Sequence, residues 1–199
     1  MTSLTGGPFQ QVERRAGLVL GTTLSKHRGQ ARLVCLLASH PGWVYKEYHD
    51  TRQQADDAHL DRLIAFPARL PAYEQEILRT GISWPTSRVV ADRRTVGVIM
   101  PFAPDSFRTT VRVPSGTHTG LLTIDMLALD DAALRRRAIP PQPMVNRVLA
   151  CSSLATTAEL MERHGIVYLD WSFANAFWSP RGRAVYVSTS TARPSGHAR

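Results

Sequence analysis

The chain has 199 residues and a mass of 22.1 kDa, enough for one good core or a small two-lobed unit. With 43% hydrophobic and 20% charged residues its composition is that of a globular protein and excludes disorder over its bulk, and the longest apolar run, residues 33–38, is far too short to span a membrane. The formal net charge of +8 admits anionic partners, but the only run of cations is Arg135-Arg136-Arg137, so the excess reads as solvated surface and a nucleic-acid partner is not expected.

The N-terminus has no basic patch followed by an apolar stretch, so no signal peptide is expected. Cys35 and Cys151 are single and far apart, which suits reduced thiols and a cytoplasmic location. Of the 24 lysines and arginines only Lys26 and Lys46 are lysine, so a lysine inside an apolar strand asks for a chemical reason.

In chain order, residues 18–20 predict a strand, followed by a polar turn over 21–30 with glycine at 21 and 29. Strands follow at 31–38 and 43–48, separated by His40-Pro41-Gly42; three such runs predict an antiparallel meander. Residues 53–64 have helical spacing, Pro67 and Pro71 interrupt, and 72–79 predict a second helix closed by Gly81. Two more strands, 87–91 and 96–100, flank Asp92-Arg93-Arg94. Pro101 and Pro104 mark a linker, and 107–120, rich in Thr, Pro and Gly, reads as loop. A short helix is predicted at 130–137. From 144 to 164, Val145, Val148, Leu149, Leu154, Ala155, Ala158 and Met161 recur at the spacing of an amphipathic helix that Gly165 ends. A hairpin from 166–169 and 184–187 follows, and 188–199 is expected to be a disordered tail.

Strands, helix, two strands, linker, helix and hairpin loop is the order of elements in protein kinases. With Trp84-Pro85 before the fourth strand and Met100-Pro101 after the fifth, the chain resembles divergent bacterial protein kinases over about residues 18–190. The fold implied is α+β: a kinase-like N-lobe over 1–100 with a five-stranded antiparallel sheet and one or two helices, a hinge at 101–104, and a shortened, mostly helical C-lobe over 105–187.

The resemblance implies a role for each matching residue. Val44-Tyr45-Lys46 matches the kinase third strand, whose lysine points a compact cation at the ATP phosphates. A helical carboxylate should hold that lysine; alignment by eye suggests Asp57, with Asp61, Glu74 and Glu76 as alternatives. Gly29, with Gly21, would belong to a degenerate glycine-rich loop over the nucleotide. In the hinge, Met100 is the gatekeeper, Pro101 offers its carbonyl to adenine, and Ala103 keeps an N–H to donate. The run from His164 to Asn175 resembles the end of the long kinase helix and its catalytic loop, with Asp170 as acceptor of the substrate proton and Asn175 as a Mg²⁺ ligand. Tyr168-Leu169 replaces the usual His-Arg and removes family scaffolding. Ser188 stands where Asp-Phe-Gly would begin, and a neutral hydroxyl is a poor substitute for a carboxylate ligand of Mg²⁺.

These residues imply a nucleotide-binding, catalytically impaired kinase-like protein, truncated after the Asp-Phe-Gly position, with ATP as ligand and Mg²⁺ in doubt. One alternative is an active phosphotransferase completed by a partner chain that supplies the missing C-lobe. Another is a basic module that binds protein or nucleic acid.

Overall fold

The computed structural model describes residues 7–28, 31–49, 57–168, 171–181, 183–188 and 192–194. They form a mixed α+β protein that divides into two compact units, Met1–Glu76 with Ser83–Phe102, and Ile77–Ile82 with Ala103–Arg199. No described helix is long and apolar enough to cross a membrane.

The first unit contains β1 (Val12–Arg14), β2 (Leu20–Arg28), β3 (Ala31–Leu37), β4 (Trp43–Tyr48) and α1 (Asp57–Ala65). After α2 (Ala72–Gly81) and β5 (Ile82–Ser83), where the chain changes units, come β6 (Ser87–Ala91) and β7 (Arg94–Pro101). The sheet order is β1-β6-β7-β4-β3-β2. The five expected strands pair antiparallel, but β1 adds a sixth, parallel to β6, so the sheet is mixed.

Alternation along β4 sorts its side chains onto two faces. Tyr45 packs with Phe9, Cys35, Leu37, Val89 and Ile99. Val44 packs with Leu60 and Ile64 of α1 and with Val98 and Met100. One face is thus covered by α1, the other by the segment carrying Phe9, whose ring meets Trp43 edge-on at 5.1 Å. Each such buried side chain stabilises the unit by roughly 1.5–3 kcal/mol. The β6–β7 loop is Asp92-Arg93, with φ of 48° and 63°, the left-handed pair that matches the twist of a two-residue hairpin. Arg88 on β6 fastens α1 to the sheet through a fork onto Asp61 at 2.9 and 3.2 Å and a bond to Asp57 at 2.9 Å.

The second unit contains β8 (Arg108–Val113), β9 (Gly116–Thr123), α3 (Asp131–Arg136), α4 (Met144–Arg163), β10 (Ile166–Tyr168), β11 (Ala176–Trp178), β12 (Val185–Ser188) and β13 (Ala192–Pro194). Its larger sheet runs β5-β12-β11-β9-β8, and β10 pairs with β13. Trp178, Val185, Tyr186, Val187 and Leu134 are buried. Asp130 caps α3 by accepting the Ala133 amide at 2.6 Å. Gly165, at φ 67°, ends α4.

Several expectations are corrected. Residues 21–28 are strand, so Gly21, Thr22, Thr23 and Ser25 lie in β2 and not in a phosphate-covering turn. Residues 108–123 are a hairpin: along β8 Thr109, Val111 and Val113 alternate with Arg108, Thr110 and Arg112, a pattern that suits a pleated surface, and only Pro114-Ser115 form its loop. The second unit is therefore not mostly helical. Ser188 and 192–194 belong to strands instead of a disordered tail. On α4 most of the side expected to be core is outside: Val145, Val148, Leu149 and Ala155 are exposed and Leu154 and Ala158 half-buried, while Met161 is buried as expected, together with Ala150, Thr157 and Leu160.

Candidate functional site

Lys46 sits mid-strand, between Val34 of β3 and Val98 of β7. It shares the face of Val44, which α1 covers, and is 7% exposed. An ammonium at that depth requires a counter-charge or close hydrogen-bond acceptors. Gly97 secures the position: a Cβ there would lie 2.2 Å from the Lys46 carbonyl oxygen, so only glycine lets β7 run this close to β4.

The acidic candidates separate by environment. Asp57 opens α1 with its side chain 48% exposed, bound to Arg88 and to the Thr95 hydroxyl. Asp61 is held by the same guanidinium. Glu76 is exposed. Glu74 is 3% exposed and accepts a hydrogen bond from the Tyr73 hydroxyl at 2.9 Å. Burial thus singles out Glu74, a distinction that acidic residues on a predicted helix do not reveal.

On the opposite face Glu47 accepts from the Tyr45 hydroxyl at 3.1 Å and from Arg15 at 3.2 Å, with Arg32 at 3.4 Å. Arg15 also lies over the Tyr45 ring at 5.1 Å. Burial, and then the Glu47 charge, push the Tyr45 phenol above its ordinary pKa; burial likewise raises the Cys35 thiol. This cluster was not foreseen, and it anchors the strand that carries Lys46.

At the end of β7, Met100 is buried opposite Val44. The Pro101 carbonyl accepts the Ser83 hydroxyl at 2.6 Å, and Phe102 N–H donates to Gly42 O at 2.8 Å. No hydrogen bond among the described residues uses the Ala103 amide. Gly29 and Asp170 lie outside the described residues.

Ser172 accepts the Ala174 and Asn175 amides, with its hydroxyl at 3.2 Å and its carbonyl at 3.0 Å, and so shapes the turn Phe173–Asn175. β11 and β12 pair with Ala176 opposite Val187; Asn175 closes the turn that leads into β11, and Ser188 is the last residue of β12. The two expected metal positions thus stand at the adjoining ends of one hairpin. The Tyr168 hydroxyl donates to the Ser188 carbonyl at 2.7 Å, while its ring meets Trp171 edge-on at 4.7 Å. Tyr168 thus supplies a tie where scaffolding was expected to be lost. The pair offers Mg²⁺ an amide oxygen and a hydroxyl but no charge, and among the described residues no three His, Cys, Asp or Glu side chains group as a metal site.

Compared with known proteins, the chain matches no family model and no curated relative.

Proposed function

We propose that the chain is a kinase-like nucleotide-binding protein with impaired phosphoryl transfer. The observation that carries this reading is Lys46: one of two lysines in the chain, buried on the helix-covered face of a central strand. Strands β2–β4, helices α1 and α2, strands β6 and β7, a linker and the long helix α4 follow the order that the resemblance implies, with β1, β5 and the β8–β9 hairpin added to it. In this reading Glu74, not Asp57, is the carboxylate that holds Lys46, because two charges buried in the same unit stabilise each other only as a pair.

Lys46 would neutralise nucleotide phosphate. Mg²⁺ fits poorly at Asn175 and Ser188, whose oxygens are both uncharged, so no step is assigned to it. Phosphoryl transfer depends on fixed positive charge around the moving group, and that charge is what Ser188 does not hold.

Calorimetry with ATP, with and without Mg²⁺, tests the reading on wild type and Lys46→Ala. Weak binding that ignores Mg²⁺ and disappears in Lys46→Ala is expected; equal heats for both proteins refute Lys46 as a phosphate ligand. Transfer of γ-phosphate should be negligible. Robust wild-type turnover abolished by Asp170→Asn would overturn the impaired reading and favour an active phosphotransferase.

A further inference from the structure

Past its last bond to the larger sheet, the second unit extends a two-stranded ribbon. β9 pairs with β11 through Leu122 and Thr123, so Arg108–Val113 and residues 116–121 run on together with no third strand beside β9 among the described residues. Such a ribbon is marginal by itself in water. Its side chains add little burial, since Arg108, Thr110 and Arg112 are exposed on β8 and Thr117, His118 and Thr119 on β9. Alternation puts both arginines and Thr110 on one face, and the Thr110 and Thr119 hydroxyls meet there at 2.7 Å, with Thr117 opposite Arg112. Leu121 ends that face and packs against the cluster of Phe107 and Tyr186. The outer part therefore carries guanidinium and hydroxyl groups without an apolar or aromatic side chain.

The same edge gathers the chain's run of cations. Arg112 N–H donates to Arg137 O at 2.8 Å, which lays the end of α3 along β8 with Arg135 and Arg136 exposed. The side chains of Arg108, Arg112, Arg135 and Arg136 make no hydrogen bond or ion pair with a described residue. Carboxylates of α3 and of the segment before it are engaged elsewhere: Asp130 caps α3, Asp131 faces Arg147 at 3.6 Å, and Asp125 accepts the Thr123 hydroxyl. Asp105 bounds the strip beyond Arg108. Cations that are dispersed along the sequence are thus collected by the fold.

Charge and shape select the partner. Unneutralised guanidinium groups attract anions. A protein partner needs aromatic or apolar anchors, and an unpaired base needs a ring to stack on; the outer face has neither. A nucleic-acid duplex needs neither, because its bases are paired inside and its phosphates lie outside. Two strands about 4.8 Å apart make a ribbon that the ~12 Å major groove of B-DNA admits, whereas the major groove of A-form RNA is deep and narrow. The six residues of β8 extend about 20 Å, the length of about six base pairs.

We propose that the β8–β9 ribbon enters the major groove of duplex DNA, its arginine and threonine face toward the groove and Arg135 and Arg136 on the flanking phosphates. No residue of the nucleotide site takes part, so either reading can fail alone.

Fluorescence anisotropy of a labelled duplex of about 20 base pairs, titrated with the full chain between about 50 and 200 mM salt, tests it. Micromolar binding is expected, with a slope of log K against log salt of about −3 to −4 for about four neutralised phosphates. Arg108→Ala/Arg112→Ala and Arg135→Ala/Arg136→Ala should each weaken binding at least about fivefold and flatten that slope by about 2. Arg69→Ala/Arg94→Ala removes the same charge from exposed positions of the first unit and should change affinity by less than about twofold. Absence of binding at about 50 mM salt and ~10⁻⁴ M protein overturns the proposal. Single-stranded DNA, duplex RNA or an acidic peptide bound as tightly as duplex DNA overturns the groove as the site, and a control variant as weak as the ribbon variants overturns the surface. The arms that compare ligands use the wild-type chain and stand even where a variant misfolds.

Discussion

Replacing Glu74 by glutamine removes the charge of a carboxylate that is 3% exposed, and replacing Lys46 by methionine removes an ammonium that is 7% exposed. A buried charge stripped of its counter-charge costs about 3–5 kcal/mol, because desolvation is no longer offset. Asp57 is a control: its side chain is 48% exposed beside Arg88, and Asp57→Asn should cost about 0–1 kcal/mol. If Lys46 and Glu74 answer each other, the Lys46→Met/Glu74→Gln double variant is less damaged than the sum of the singles, with a coupling of about 2 kcal/mol. Urea unfolding of the four proteins of the cycle, followed by circular dichroism at constant m-value, gives the numbers. ATP affinity should fall further in Glu74→Gln than in Asp57→Asn. Additive singles, or an Asp57→Asn loss equal to that of Glu74→Gln, refute the assignment.

Gly97→Ala should destabilise by roughly 3 kcal/mol, the upper end of overpacking, because the new Cβ lies 2.2 Å from a backbone oxygen that moves only if β4 and β7 part; a melting temperature unchanged from wild type would contradict it. Tyr45 should make the fold sensitive to alkali. Its phenol pKa is raised in the fold, so its contribution is fully present below the ordinary tyrosine value of about 10 and is lost as pH rises beyond it toward the folded value. Unfolding free energies between about pH 8 and 11 should fall more steeply for wild type than for Tyr45→Phe, and parallel slopes would refute a buried, protonated phenol.

The four strands β3, β4, β6 and β7 were legible because each is an apolar run bounded by turn residues. β1 was not: Val12-Glu13-Arg14 has no apolar pattern and is held through its backbone, beginning where Arg88 N–H donates to Gln11 O at 2.9 Å. The β8–β9 hairpin was misread because Thr, Pro and Gly suggest loop when counted together, although Thr109, Val111 and Val113 alternate with Arg108, Thr110 and Arg112 along β8. The face of α4 was misread for a different reason. Close packing favoured its small residues: Ala150 and Thr157 are buried, and a Cβ on Gly81 would lie 2.4 Å from the Thr157 hydroxyl oxygen. At the candidate site, lysine scarcity pointed to Lys46, but burial alone sorted Glu74 from Asp57. The Tyr168–Ser188 bond uses a backbone acceptor twenty positions away, which no sequence pattern encodes.

Binding and transfer place different demands on such a site, and the two units meet them unequally. Holding a nucleotide needs a cation kept in place, and Lys46 has that support: paired strands on both sides, a glycine that permits their approach, and an ionic cluster fixing the far face of its strand. Transfer needs concentrated positive charge, hence anionic oxygens to hold a metal ion. The strand at position 188 is held, since β12 pairs with β11 and the Tyr168 hydroxyl ties the Ser188 carbonyl. What is missing there is charge: the residue at 188 is neutral, while the strand that carries it is ordered by the same hairpin and the same tie. In the proposed reading, an ordered strand without charge at position 188 suits recognition better than turnover, which is why that reading is assigned to Lys46 and not to the hairpin.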